Sequence, residues 1–262
     1  MYPALQTIYL SFLDRRSEAF VGLENYKYVF TSRVMLTAFR NNLLWLIFFT
    51  AGTVGLGLLF AILVDKVKYE SFAKSIIFMP MAISFVGAGV VWKFMYTYKP
   101  PGSEQIGLLN QILVIFGFEP KGWLLESPIN NFALIAVGLW IWTGYCMVLL
   151  SAAYKGIPKE LVEAAEVDGA NQLQVFRHIT IPELRPALTM VITTMLVNVL
   201  KIFDIIYVMT NGNFGTEVIA NRMFKEMFQF SNTGRASAIA VVLFLMIIPI
   251  MYANVRQKLR EG

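Results

Sequence analysis

Between Leu43 and Val64 the chain runs for twenty-two residues without a charge. As a helix, at 1.5 Å per residue, such a run reaches about 33 Å, enough to cross the roughly 30 Å hydrocarbon core of a bilayer. Soluble folds do not tolerate a run like this repeatedly, and here it recurs. Ser75–Trp92 and Phe132–Tyr154 are uncharged apolar runs, and Ala236–Val255 is a further one. Pro186 to about Val208 is apolar apart from Lys201 and Asp204. In a bilayer every backbone polar group must find its partner within the protein, so the expected fold is an all-α polytopic membrane protein, a single domain over residues 1–262. The 57% hydrophobic and 15% charged composition agrees.

The first thirteen residues are apolar but reach only about 20 Å, too short for a span. They are expected to be the latter part of a first helix. Asp14–Asn42 carries both signs of charge and reads as an external segment. In the second span Gly52, Gly55 and Gly57 would let another helix approach closely. Pro80 is expected to kink the third span, because it lacks the N–H of a helical bond. The following loop is expected to hold one short amphipathic helix, Ile106–Phe116. The formal charge is +5. Its Lys and Arg residues are scattered at loop ends, which fits topology signals and not nucleic-acid binding. The segments Asp65–Lys74, Lys155–Arg185 and Arg256–Gly262 carry ten of them, at nearly twice the density of the segments at the opposite helix ends. Basic residues favour the cytoplasmic side, so Lys155–Arg185 is expected there. A lone cysteine, Cys146, excludes an intrachain disulfide, and a lone histidine, His178, excludes a histidine-based metal cluster.

The polar stretch from Lys155 to Pro186 is the unusual element. Pro158 suits the first turn of a helix, KELVEAAEV continues it, and Gly169 stops it. Leu173, Phe176 and Ile179 then give a second short helix an apolar face, up to Pro182 and Pro186. A compact helix–turn–helix exposed between spans calls for a partner that covers it.

Glu163, Ala164, Ala165, Gly169, Ile179 and Pro182 resemble the EAA motif of ABC importer permeases. The longer string EAAEVDGANQLQVFRHITIPELRP, with Asp168, Ala170, Phe176 and Thr180, looks like the sugar-type members that serve maltose and glycerol-phosphate importers. The likeness extends over nearly the whole chain. It takes in Ser11-Phe12, the FVGLENY of Phe20–Tyr26, Gly107 with Asn110, Trp123-Leu124, Trp140, Ile157-Pro158 and Phe203-Asp204. One departure is TNGNFGTE, Thr210–Glu217, which lacks a glycine and a proline usual in that turn. In this it looks like permeases for α-glucosides or glucosyl osmolytes. The resemblance implies a type I importer bundle of six spans in the bacterial inner membrane, the first incomplete here. It implies two ATP-binding cassette ATPase subunits that hold ATP and Mg²⁺, a second homologous permease chain, a solute-binding protein outside, and lipid around the spans. The coupling set it implies is Glu163, Ala164, Ala165, Asp168, Gly169, Leu173, Phe176, Ile179 and Pro182.

The residues themselves indicate no enzyme. There is no GxxxxGK[ST] phosphate loop, so energy from ATP must come from a partner. Glu163 and Glu166 read either as a solvated helix face or, for Glu163, as a contact to a basic group. Leu173 and Phe176 pack either on this chain or on a partner. Asn198, Lys201 and Asp204 recur at spacing three, on one helix face. They form either a local Lys201–Asp204 ion pair or a polar stripe along a solute path, since charges at membrane depth usually face a protein interior or water. Trp142 and Tyr145 would either stack on a sugar ring or belong to packing and an interface belt. A self-sufficient secondary carrier and an intramembrane enzyme are the competing classes. The first would need transport by this chain alone, the second polar pairs within the spans.

Overall fold

The computed structural model describes residues 2–261, with side chains up to Tyr252. It is helical throughout, and among the described residues the only strand-like pairing is an isolated bridge between Leu13 and Phe20. In chain order the helices are α1 (Tyr2–Leu10), α2 (Glu24–Thr31), α3 (Arg33–Val64) and α4 (Glu70–Phe78). Next come α5 (Phe85–Met95), α6 (Leu108–Ile115), α7 (Ile129–Lys155), α8 (Lys159–Val167) and α9 (Gln172–Glu183). The last are α10 (Arg185–Leu200), α11 (Asp204–Met209), α12 (Ile219–Phe224) and α13 (Thr233–Glu261).

Three of these, α3, α7 and α13 up to Tyr252, are long and apolar enough to cross a membrane by themselves. Of the three, α7 is the central one, with 61% of its most apolar window buried against 39% for the others. It lies against α3 along a glycine seam. A Cβ on Gly57 would stand 2.5 Å from Cys146 Cβ, one on Gly52 2.6 Å from Leu139, and one on Gly138 2.9 Å from Phe49. Small residues let the two backbones close on each other, and dispersion between the tightly packed walls replaces the hydrophobic drive that lipid removes. Gly55, expected in the same role, faces open space.

The sequence expectations need correction at the breaks. Asp14–Asn42, expected as an external segment, holds α2, and the helix of the second span begins not at Leu43 but at Arg33, so α3 is 32 residues long. Its added turns carry Arg33 and Arg40, yet they bury Met35 and Ala38 in a cluster with Ile219, Ala238 and Ile239, with Asn41 and Asn42 buried beside them, and this burial stabilises the helix where composition does not. Within it a wide π turn covers Trp45–Phe49. The third span is not kinked but broken. A 3₁₀ turn at Met79–Ala82 contains Pro80, Ser84 caps the new helix by accepting from Gly87 N at 3.0 Å, and α4 and α5 meet at 98°. The fifth span likewise stops at Leu200, before the expected Val208, and resumes as α11 after Lys201–Phe203. The expected Ile106–Phe116 helix is present as α6. The sixth span starts three residues before the expected Ala236, and the side chains of 253–255 lie outside the described residues.

Several residues of the sequence likeness prove to be staples. Asn25 Nδ2 donates to Ser11 O (3.0 Å) and Leu13 O (2.7 Å), and Ser11 Oγ meets Tyr26 OH at 2.7 Å, which closes the turn after α1. Asn110 Oδ1 accepts from Trp123 Nε1 (3.0 Å) and Lys121 N (2.9 Å), while its Nδ2 donates to Thr97 O and Lys121 O, both at 3.0 Å. At the end of the bundle away from residues 155–186, Tyr28 OH donates to Glu226 Oε1 at 2.8 Å, and Arg222 Nε donates to the same oxygen at 2.9 Å. Burial pushes the Tyr28 phenol pKa up, and Glu226 adds to the shift. At the inner end, the side of residues 155–186, Asp65, Glu70, Lys74, Ser151 and Lys155 form one ion-pair cluster that joins α4 to the end of α7.

Gly57→Leu should therefore overpack the α3–α7 seam at a cost of about 1–3 kcal/mol, lowering the thermal transition of the purified protein in detergent. Gly55→Leu, placed in open space, should leave that transition where it is.

Candidate functional site

Two places concentrate polar groups that a plain helical bundle does not need. The first is the corner between α8 and α9. Pro158 sits just before α8, as its N-cap and not in its first turn. At the other end Gly169 adopts φ +83°, a conformation that an L side chain resists. Its N–H donates to Glu166 O (3.0 Å), and Ala170 N donates to Ala165 O (2.9 Å). This is the paired closure that satisfies the last carbonyls of a helix. Two residues on, Asn171 and Gln174 form a reciprocal capping box: Asn171 Oδ1 accepts from Gln174 N at 3.0 Å, and Asn171 N donates to Gln174 Oε1 at 2.7 Å. Gln172 Nε2 adds a donation to Glu166 Oε1 at 2.9 Å. The N-x-x-Q spacing of this box is a signal readable in the sequence itself.

Side-chain exposure in this unit differs from the expected stripe. Leu173 is 73% exposed and Val167 87%, while Phe176 and Ile179 are half-buried, and the inward residues are Val175, Thr180 and Leu184. A π turn at Phe176–Thr180 widens the winding after Val175, so the residues that follow depart from a three-residue spacing and Thr180, not only Ile179, turns inward. Glu163, Ala164, Asp168 and Pro182 are exposed and Ala165 is half-buried. A shallow groove of about 290 Å³ follows the corner, lined by Ala165, Asp168, Gly169, Gln174, His178 and Ile179 among others. His178 Nδ1 lies 3.1 Å from Gln174 O. The unit leads into α10 through a bend of 69° between α9 and α10.

The second place is a cavity of about 220 Å³ at the break between α10 and α11. Asn198, Lys201 and Asp204 all line it, though not from one helix face as expected. α10 ends at Leu200, Lys201 lies in the turn, and Asp204 opens α11. No Lys201–Asp204 ion pair forms among the described residues. Opposite stand Phe49, Phe85 and Trp142. Phe85 and Trp142 are stacked, with centroids 5.8 Å apart at 20°. Tyr145 meets Trp142 edge-on at 5.6 Å but lies outside the lining. The break itself has no Pro or Gly to announce it. It is set by Phe203, which packs on Tyr207 and Phe224 at 5.1 and 5.0 Å. Phe85 follows the α4–α5 break, so both broken spans bring residues to this one cavity.

No metal-binding group of His, Cys, Asp or Glu occurs among the described residues. A bundle with broken spans around a small, mostly apolar cavity that Asn198, Lys201 and Asp204 also line, with a self-contained helical corner at the end that carries residues 155–186, fits a transport protein of the permease class. The chain belongs to the family described as binding-protein-dependent transport system inner membrane component, whose profile matches residues 52–261. It is thus a permease component of an ABC importer and not an enzyme. It is 61% identical over 255 residues to the osmoprotective compounds uptake permease protein GgtC of Synechocystis sp., covering 97% of this chain and 91% of that one. Identity is 46% over 263 residues to the alpha-glucoside transport system permease protein AglF of Rhizobium meliloti, covering 100% of this chain and 78% of that one. A chain in the crystal structure of a bacterial ABC transporter involved in the import of the acidic polysaccharide alginate shares the fold. Its TM-score is 0.82 at 21% identity, over 98% of this chain and 90% of that chain.

Asn171→Ala should remove one half of the capping box, at about 1 kcal/mol. Hydrogen exchange at the amides of residues 172–175 should then speed up about fivefold relative to the unsubstituted protein.

Proposed function

We propose that this chain is one of two non-identical permease subunits of an inner-membrane importer for α-glucosides or glucosyl osmolytes. In this reading a binding protein delivers the solute from outside and two ATPase subunits drive the cycle from the cytoplasm. The observation that carries the substrate class is the cavity at the broken spans. The stacked Phe85–Trp142 pair offers a flat apolar wall for a sugar ring, and Asn198, Lys201 and Asp204 offer donors and acceptors to its hydroxyls. The 61% and 46% identities to osmoprotectant and alpha-glucoside permeases support the same class.

The geometry supports a mechanical route as well. ATPase subunits would grip the exposed surface made by Glu163, Ala164, Asp168, Leu173 and Pro182. The residues Ala165, Gly169, Phe176 and Ile179 keep the corner in shape behind it. α10 leaves this unit at the inner end and reaches the cavity sixteen residues later, about 24 Å away. A tilt of the corner would therefore move Asn198 and Lys201. On the opposite wall, the cluster of Lys155 with Asp65 and Glu70 ties the end of α7 to α4, whose far end leads through the break to Phe85. Movement at the inner end thus reaches both walls of one cavity, the requirement for alternating access.

Reconstitution of the whole importer with its binding protein tests this reading. Glu163→Lys should remove most of the solute-stimulated ATP hydrolysis and the uptake together. Lys201→Ala or Trp142→Ala should lower glucoside uptake about tenfold or more, in keeping with the loss of a hydrogen-bonded or stacked contact, while the complex still assembles. Unchanged stimulation in Glu163→Lys would refute the coupling role, and unchanged uptake in both cavity variants would refute the solute route.

A further inference from the structure

A second and larger cavity, of about 450 Å³, lies at the outer end, between α5 and the loop that follows α11. Its size is within the roughly 300–1,000 Å³ of small-molecule sites. One helix contributes to both cavities: Asp204 and Ile205 of α11 line the first, while Tyr207, Val208 and Met209 line the second. At 1.5 Å per residue this six-residue helix is about 9 Å long.

The lining of the outer cavity has unused binding capacity. Tyr98 and Asn213 have no side-chain hydrogen bond or ring contact among the described residues, and Lys93 Nζ has only a 3.4 Å contact to Val208 O. Tyr96 and Tyr207 supply phenol rings, and no carboxylate lines the space. One ammonium, the unspent Asn213 amide, the Tyr98 phenol and aromatic faces suit an uncharged, polyhydroxylated molecule, and an ammonium with no carboxylate beside it disfavours a cation.

The wall that carries Asn211 and Asn213 is tied down by contacts. Asn211, Gly212, Phe214 and Gly215 all have positive φ, which glycine takes freely and asparagine at small cost, but which at Phe214 persists only where surrounding contacts impose it. Those contacts are Asn41 Nδ2 to Gly215 O (2.7 Å) and Glu217 O (2.8 Å), Asn130 Nδ2 to Phe214 O (2.8 Å), and a buried ion pair of Lys225 with Glu217 at 2.9 Å. A loop whose only task was to span the outer end of two helices would not need such anchoring, whereas a preformed site does.

We infer that this outer cavity is a separate subsite for the transported solute, an uncharged polyhydroxylated molecule, occupied before the inner cavity. The inference rests on the importer function proposed above. Its test uses the assembled importer carrying Asn213→Cys. The single native cysteine, Cys146, is buried, so the new thiol is the reactive one in this chain. Uptake assays first establish which of sucrose, maltose and methyl α-glucoside the unsubstituted importer carries. With no binding protein present, that sugar at tens of millimolar should slow maleimide labelling of Asn213→Cys by about fivefold. Adding Tyr98→Ala should abolish the protection. Tyr98→Cys, at a side chain that likewise has no partner, serves as a second reporter. Labelling unaffected by the sugar would overturn the inference, and so would protection by the binding protein but not by the sugar, which would make the cavity a seat for that protein. If none of the three sugars is carried, uptake and labelling are repeated with a glucosyl osmolyte, and if that is not carried either, the substrate reading falls and the subsite with it. If one is carried and gives no protection, only the subsite falls.

Discussion

The contact between α3 and α7 is the one on which the remaining architecture depends. Inside a bilayer two helices gain little by leaving lipid for each other, so they hold together only where their surfaces fit closely. Gly52 and Gly57 on one helix and Gly138 on the other allow that fit. With the pair fixed, Gly144 one turn and a half further along α7 can take the backbone of Ile77 and Phe78 from α4. The broken third span is thereby held against the central helix at the point where its own hydrogen bonding is interrupted. The cavity follows from this arrangement: irregular backbone at membrane depth is tolerated only where protein encloses it or water fills the space beside it.

Much of this was legible in the sequence. The uncharged runs identified every apolar helix, and the lengths of α7 and α6 differ from expectation by only a few residues. The turn at Gly169 could be read because a chain reversal without a Cβ has a simple chemical signature. The breaks were legible only in part. Pro80 announced a disturbance of the third span but not its 98° angle, since the angle depends on the capping by Ser84 and on the packing against α7. The interruption at Lys201–Phe203 was marked by charge, yet its geometry comes from aromatic contacts between Phe203, Tyr207 and Phe224, residues up to twenty-one positions apart in the chain. A spacing of three could not reveal that Asn198, Lys201 and Asp204 reach one cavity from a helix, a turn and a second helix.

Local polarity misled in one region. Arg33–Asn42 looks like loop because it carries charges and asparagines, but Asn41 and Asn42 are buried and spend their amides on the backbone of distant segments, Gly215 and Glu217 for one and Val199 and Ile219 for the other. Buried amides with full sets of partners specify a structure as firmly as an apolar core does. The same applies to Asn110, and Asn25 spends both of its amide donors on the turn after α1. In this chain asparagine holds the loops, and glycine sets the distance between helices.

The corner at Gly169 has a mechanical consequence. Its closing hydrogen bonds all lie within residues 165–174, so its shape owes little to the bundle it is attached to. A body that carries its own bracing does not deform when pushed. It rotates, and the strain passes to its attachments, which here are the Gly156–Pro158 link before it and the bend at Leu184 behind it. The unit is the ball of a joint, and the two proline-flanked links are the neck through which any push must travel.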